Sequence, residues 1–405
     1  MRNSRERILT SHAGSLPRPD DLIELNRRRL AGEGVDEAAF QAELRTSVAD
    51  LVARQKSLGV DVVNDGEYGH AMGARSDYGA WWGYSFQRLG GLEIVEGEDP
   101  ITSAPRRSSP GNVVLTSFLD RRDWTRFQDA YSDPESGITI GRAERAFPAC
   151  TGPLTYTGHD AVAADIANLT AALEASGYSE GFMNALAPGS CSRIGNLYYG
   201  SEEEFMYACA EAMREEYRAI IDAGFILQID DPSIAENWDQ INPEPTVEEY
   251  RDFTMMRVEA LNHAIRGLPK DRMRFHLCWG SWHGPHTTDI PMKDIVDVML
   301  SIDVGAYSFE AGNVRHEHEW KVWRDVKLPD GKLILPGVVS HATNVVEHPE
   351  LVADRIERFA EAVGPENVIA STDCGLGGRI HPDIAWAKLQ TLTEGATLAT
   401  RRFHG

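Results

Sequence analysis

The feature that most constrains the fold is a rhythm: short apolar runs alternate with long amphipathic stretches along most of the chain. Nine runs read as strands: Ile8–Ser11, Gly59–Asn64, Ala146–Thr151, Gly181–Ala185, Phe225–Asp230, Met273–Cys278, Ala306–Glu310, Ile334–Ser340 and Val368–Asp373. Between several of them the spacing predicts helices. One runs from about Ser201 to Ala223, with Phe205, Ala208, Ala212 and Tyr217 on one side, and others over Val247–Ile265 and Pro349–Val363. Strand, helix, strand in regular succession argues a parallel sheet covered by helices. Some eight such units in 405 residues predict an α/β chain folded as a single (β/α)8 TIM barrel. Nine runs compete for eight places, so at least one lies outside the barrel.

One stretch breaks the rhythm. From about Gly79 to Arg145 the chain carries Trp81, Trp82, Arg106, Arg107, Pro110 and several glycines. That is long for a βα loop. It reads as an insertion over one barrel mouth, either a lid or a surface elaboration.

Composition narrows the function. The formal charge of −22 disfavours nucleic acid, which needs a dense basic surface. No apolar run approaches the roughly 18 residues that span a bilayer. The N-terminal Met-Arg-Asn-Ser-Arg-Glu-Arg offers no apolar signal segment. Cys150, Cys191, Cys209, Cys278 and Cys374 are odd in number and widely spaced, which reads as reduced thiols and a cytoplasmic protein.

In barrels of this kind chemistry sits at the carboxyl ends of the strands. Six predicted strand ends carry an acid, an imidazole or a thiol: Asp65 and Glu67; Asp230 and Asp231; His276 and Cys278; Glu310; His341; Asp373 and Cys374. Each alone is explained by a cap or a satisfied core residue; six together are not. The sharpest subset is His276, Cys278, Glu310 and Cys374. Side chains alternate along a strand, so His276 and Cys278 point the same way. A later carboxylate and a second thiolate would complete a tetrahedral site, and thiolates with imidazole favour Zn2+. His283, His286, His316 and His318 lie nearby in loops and compete less well. Two thiolate ligands make zinc a poorer acid for water but suit it to hold a substrate thiol ionised. The pattern therefore points to alkyl transfer to sulfur.

These segments, taken in order, resemble the zinc-bearing C-terminal barrel of the cobalamin-independent methionine synthase family. The matching stretches are Ser11-His-Ala-Gly-Ser-Leu-Pro17, Asn64-Asp-Gly-Glu67, Thr151-Gly-Pro153, Gln228-Ile-Asp-Asp-Pro232, His276-Leu-Cys278, Phe309-Glu310, Pro336-Gly-Val-Val-Ser-His341 and Asp373-Cys-Gly-Leu376. The resemblance implies a barrel fold and zinc held by His276, Cys278, Glu310 and Cys374. It implies that the thiol substrate, homocysteine, is gripped by Gly14 and Ser15, by Glu67 and by Asp230, and that His341 serves as general acid. Anions suit backbone N–H groups at such a turn, and an ammonium suits paired carboxylates.

The departures shift the expectation. The two-barrel enzymes of the family have a second barrel that supports a long pterin donor, and this chain has room for one. The Asp231-Pro232 pair replaces the family's more usual Glu-Pro. The partners expected are a small thiol and an alkyl donor, with a pterin or a corrinoid protein as candidate sources of the methyl group. Two other readings stay open. One is an epoxyalkane:coenzyme M transferase-like enzyme, which needs a cation for the sulfonate from among Arg75, Arg193, Arg315 and Arg379. The other is a non-catalytic barrel subunit that zinc merely stabilises.

Overall fold

The computed structural model describes residues 1–138 and 146–404. Among the described residues nine strands form, in chain order: β1 (Leu9–Thr10), β2 (Leu89–Glu93), β3 (Ala149–Tyr156), β4 (Phe182–Leu186), β5 (Ile226–Asp231), β6 (Met273–Leu277), β7 (Ala306–Phe309), β8 (Leu333–Val339) and β9 (Ile369–Thr372). Seven of them build one curled parallel sheet in the order β1-β9-β8-β7-β6-β5-β4. Helices fall where the apolar spacing predicts them, over Glu202–Asp222, Val247–Ile265 and Pro349–Val363. Their starts are chemically specified. The Ser201 side chain accepts from Glu204 N, three acids fill the following turn, and Thr246 with Glu249 forms a reciprocal capping box. No described helix is long and apolar enough to cross a membrane.

Of the expected eight-stranded barrel, the described residues form a curled sheet of seven strands. Predicted strand Gly59–Asn64 forms no ladder. It spans the gap between β1 and β4 through one bridge, Val63 to Gly181, and through Asp61 N and Val62 N, which both donate to Thr10 O at 3.1 Å. Side chains replace the missing ladder bonds. The Asp61 carboxylate accepts from Thr10 N at 2.9 Å, and Gln55 Oε1 accepts from Asn64 N at 3.2 Å. The predicted strand Ala146–Thr151 is also reassigned. Its residues from Ala149 on belong to β3, which pairs antiparallel with β2 in a separate two-stranded ribbon. Its partner thus comes from the long excursion after Gly79, so it takes no place in the main sheet. Residues 139–145, the end of the predicted insertion, lie outside the described residues.

Alternation along the strands divides the interior. Leu227, Ile229, Phe275, Leu277, Tyr307 and Phe309 face the helices in the main core. The opposite side chains turn into the curl. Leu9, Ala306, Leu333, Leu335 and Ile369 pack at one side of it, and Val62, Phe182 and Ile226 at the other. Above this apolar floor lies a polar layer. Arg274, 1% exposed, donates to Gln228 Oε1 at 2.7 Å, Ser11 Oγ at 2.9 Å and His12 O at 2.9 Å, and lies 3.6 Å over the Phe182 ring. Among the described residues no carboxylate meets this guanidinium directly, and burial pushes it down to about 9. Neutral acceptors satisfy it instead, which is how a buried charge is tolerated. The next inward level, toward the carboxyl ends, is the candidate site.

Candidate metal and substrate site

Register sets the site's first row. Asp230 on β5 lies opposite His276 on β6, which lies opposite Ser308 on β7. His276 Nδ1 is 3.0 Å from Ser308 Oγ, while Nε2 is buried with no hydrogen-bond partner among the described residues. Cys278, the residue just past β6, and Cys374, just past β9, bring their sulfurs to 3.8 Å. One ring nitrogen of His276 and both sulfurs all lie within 4.8 Å of one another. The donor set fits a thiophilic ion. A tetrahedron around a metal with ~2.3 Å bonds to sulfur has edges of about 3.8 Å. An orphaned buried imidazole nitrogen beside two thiols is otherwise costly.

The charges agree with a metal group. The Cys278 thiol next to it holds Cys374 well below the ordinary thiol range, with His276 adding to the effect. Cys278 itself is pushed well up, by that same contact and by burial. Burial pulls His276 down, but the Cys374 sulfur with Asp230 and Glu310 more than offsets it.

Glu310 stands one step aside. Its Oε1 accepts from Trp279 N at 2.9 Å and its Oε2 from Asn313 Nδ2 at 2.9 Å. Its ligand atom groups with those of His341 and Asp373, rather than with the two sulfurs. Burial raises Glu310 to about 8 and depresses His341 to about 3. His341 is therefore neutral at ordinary pH, and it does not line the main cavity. Asp373 serves the backbone, accepting from Ala311 N and Gly312 N at 2.7 Å each. The Ser340–His341 turn is itself anchored: Ser340 N donates to Glu347, whose other oxygen takes the buried Lys388 at 2.8 Å.

The second row is a pair of acids. Asp230 accepts from Asn184 Nδ2 at 2.8 Å and Gln228 Nε2 at 2.7 Å. Burial holds it at about 6 despite these bonds. Burial first, and then the Asp230 charge, push Glu67 well above the carboxylate range. Glu67 sits in a left-handed turn at φ 61°, shaped by Asp65 accepting from its N–H at 3.0 Å. It does not pair with Arg75, which instead meets Asp20 at the surface. Gly14 is required beside it. A Cβ there would fall 2.5 Å from Glu67 Oε1 and 2.4 Å from Asn184 Nδ2, and φ is 126°. Ser15 O accepts from Leu376 N and Gly377 N at 2.9 Å, tying this turn to the Cys374 loop.

Ser15, Glu67, Asp230, His276, Cys278 and Cys374 all line one cavity of about 460 Å³. Much of its wall comes from the long excursion, including Trp81, Trp82, Phe118, Arg121, Trp124 and Tyr131. That segment is pinned across the strand ends. Trp82 Nε1 donates to Ser190 O at 3.0 Å, Arg121 pairs with Glu236 at 3.3 Å, and Thr287 N donates to Asp123 at 2.9 Å.

The residues that sequence reasoning missed are Asn184, Gln228 and Arg274. A signal existed for the first two: Asn184 is the polar residue within the run Phe182–Leu186, and Gln228 shares the face of Asp230 at a spacing of two. The competing histidines are accounted for. His286 and His316 share the buried Asp289 at 3.2 and 3.1 Å, His283 lies 3.1 Å from His341 O, and His318 is exposed.

A curled parallel sheet with an imidazole and two thiols converging beyond its carboxyl ends defines an α/β protein with a candidate metal centre. Residues 198–397 match the family model described as cobalamin-independent synthase, catalytic domain. The chain is 23% identical over 401 residues to the YxjH protein of Bacillus subtilis (strain 168), covering 95% of this chain and 92% of that one. It is 27% identical over 211 residues to a methionine synthase of Thermococcus kodakarensis, covering 51% of this chain and 53% of that enzyme. The fold is similar to that of a B12-independent methionine synthase from Shewanella sp. W3-18-1, solved in complex with selenomethionine. The TM-score is 0.69 at 18% identity, with 98% of each chain covered. The C-terminal half of the chain is thus similar to the catalytic domain of the cobalamin-independent synthases, and the chain spans about half the length of the curated methionine synthases it matches.

Proposed function

We propose that this chain is a zinc-dependent transferase that moves a methyl or other alkyl group onto the thiol of homocysteine, a step of methionine biosynthesis. The observation that carries the reading is the unpartnered His276 Nε2 beside two sulfurs on the wall of a cavity that also holds Glu67 and Asp230. His276, Cys278 and Cys374 would hold the ion, with Glu310 beside them as the fourth donor. Zinc bound there supplies a positive charge that keeps a thiol ionised at neutral pH.

The chain's own residues do the rest. Glu67 and Asp230 offer two carboxylates to the substrate ammonium, and binding it relieves their mutual repulsion. The Gly14–Ser15 turn supplies one part of the substrate carboxylate's site, with Ser15 on the cavity wall. Asn184 and Gln228 fix Asp230 in place, so little reorganisation is needed on binding. Residues 79–138 act as a lid whose aromatic wall keeps water from the reacting sulfur. A pterin or a corrinoid-bound methyl group would have to pass Trp81, Trp82 and Trp124. His341, kept neutral by burial, would take the proton that the acceptor thiol releases and pass it to the leaving group. The seam segment 60–64 serves as the eighth stave of the barrel. Five free cysteines fit a reducing compartment, the cytoplasm.

The coenzyme M reading has one observation in its favour. Among its four candidate cations, Arg379 lines the cavity, while Arg75 pairs with Asp20 at the surface, Arg193 pairs with Glu236 and Arg315 is exposed. Ligand-induced thermal stabilisation separates the readings. Homocysteine is expected to raise Tm by several degrees more than coenzyme M at equal concentration. The reverse order would favour epoxide opening. No response to either thiol would favour a barrel that zinc only stabilises.

A further inference from the structure

We infer that Arg379 is a specificity residue that anchors an anionic group of the thiol acceptor, selecting acidic over neutral thiols. The inference rests on the reading of the cavity as a thiol-acceptor site. Arg379 follows Cys374 by five residues and reaches the loop after Cys278, where its Nε donates to Ser281 Oγ at 2.6 Å. Its guanidinium is thus suspended between the loops that carry the two sulfurs.

The side chain is held by groups that leave its charge uncompensated. Nη1 donates to the Asp77 carbonyl at 3.2 Å, and the guanidinium lies 4.1 Å from the centre of the Tyr78 ring. Neutral oxygens and an aromatic face thus hold it. Among the described residues it makes no ion pair with a carboxylate. The other guanidinium on the cavity wall, Arg121, pairs with Glu236 at 3.3 Å and Asp239 at 3.8 Å. A half-buried guanidinium fixed by neutral partners is pre-organised for an incoming carboxylate or sulfonate. Glu67 and Asp230 give the same cavity a negative side. A substrate that carries an ammonium and an acid therefore meets both signs, and one that carries only an acid meets Arg379.

The test is calorimetric binding of three thiols to the purified chain with its native metal content. They are homocysteine, 3-mercaptopropionate and 2-mercaptoethanol: one with an ammonium and an acid, one with an acid alone, one with neither. The proteins are the parent, R379Q and R379K. R379Q is expected to weaken the two acidic thiols about 10- to 100-fold and leave 2-mercaptoethanol within about twofold. R379K, which keeps the charge, recovers part of the loss. Equal weakening of all three thiols would show that Arg379 only shapes the loops and would overturn the inference. Unchanged binding of the acidic thiols would overturn it as well, and both results leave the thiol-transfer reading standing. If no thiol binds the parent protein, the thiol-transfer reading itself fails and takes this inference with it.

Discussion

Cys374→Ser is expected to reduce bound zinc from about one ion per chain to near zero and to cut turnover by more than about 100-fold. Loss of even a supporting group around a metal typically costs 10- to 100-fold, and Cys374 is a direct donor in the proposed site. Its thiol is held well below the ordinary thiol range by the Cys278 thiol and by His276. A serine hydroxyl cannot ionise there, and the metal would lose its softest ligand. The fold should survive, because Cys374 packs beside the cavity and not in the helix-facing core, so the circular dichroism spectrum should not change. Metal analysis and a steady-state assay check this together. Full metal content with parent-level turnover would show that the metal is held elsewhere.

The second large effect is on the acid pair. Glu67→Gln keeps shape but removes one of the two carboxyl groups proposed to meet the substrate ammonium. KM for homocysteine should rise roughly 10- to 100-fold, with kcat changed much less. The same variant should be more stable than the parent at neutral pH. Burial and Asp230 raise the Glu67 carboxyl in the folded chain, so folding favours its protonated form. For a carboxyl so raised, stability is lost as pH climbs from the ordinary carboxylate range through the raised folded value. A glutamine never ionises and escapes that loss. The gain in Tm should therefore be present at pH 7–8 and vanish near pH 4, a trade of stability for binding. An unchanged KM would remove Glu67 from the substrate site.

How far the sequence carried the account can be read from particular residues. His276, Cys278 and Asp230 were legible because strand parity and register fix where side chains point. Cys374 was legible because it directly follows the last apolar run, Val368–Asp373. Glu310 was placed at the right strand end, but its carboxylate is drawn toward Trp279 N and Asn313, a preference only the loops reveal. The strand reading failed where side chains do the work of the ladder, as Asp61 and Gln55 do along residues 60–64. It failed again at Ala146–Thr151, where β-propensity was right and the pairing partner, β2, lay in an excursion with no rhythm of its own. Asn184, Gln228 and Arg274 were missed because buried polar residues inside strands look like exceptions to an apolar run. Only the shared contacts show that they support the site.

The most direct test of the central claim is zinc-edge X-ray absorption on the purified chain, with and without homocysteine. About one zinc per chain is expected, in a mixed nitrogen, oxygen and sulfur shell with two sulfurs, rising to three when the thiol is added. A sulfur count that does not change on addition of thiol, or a protein that binds no zinc, would contradict it.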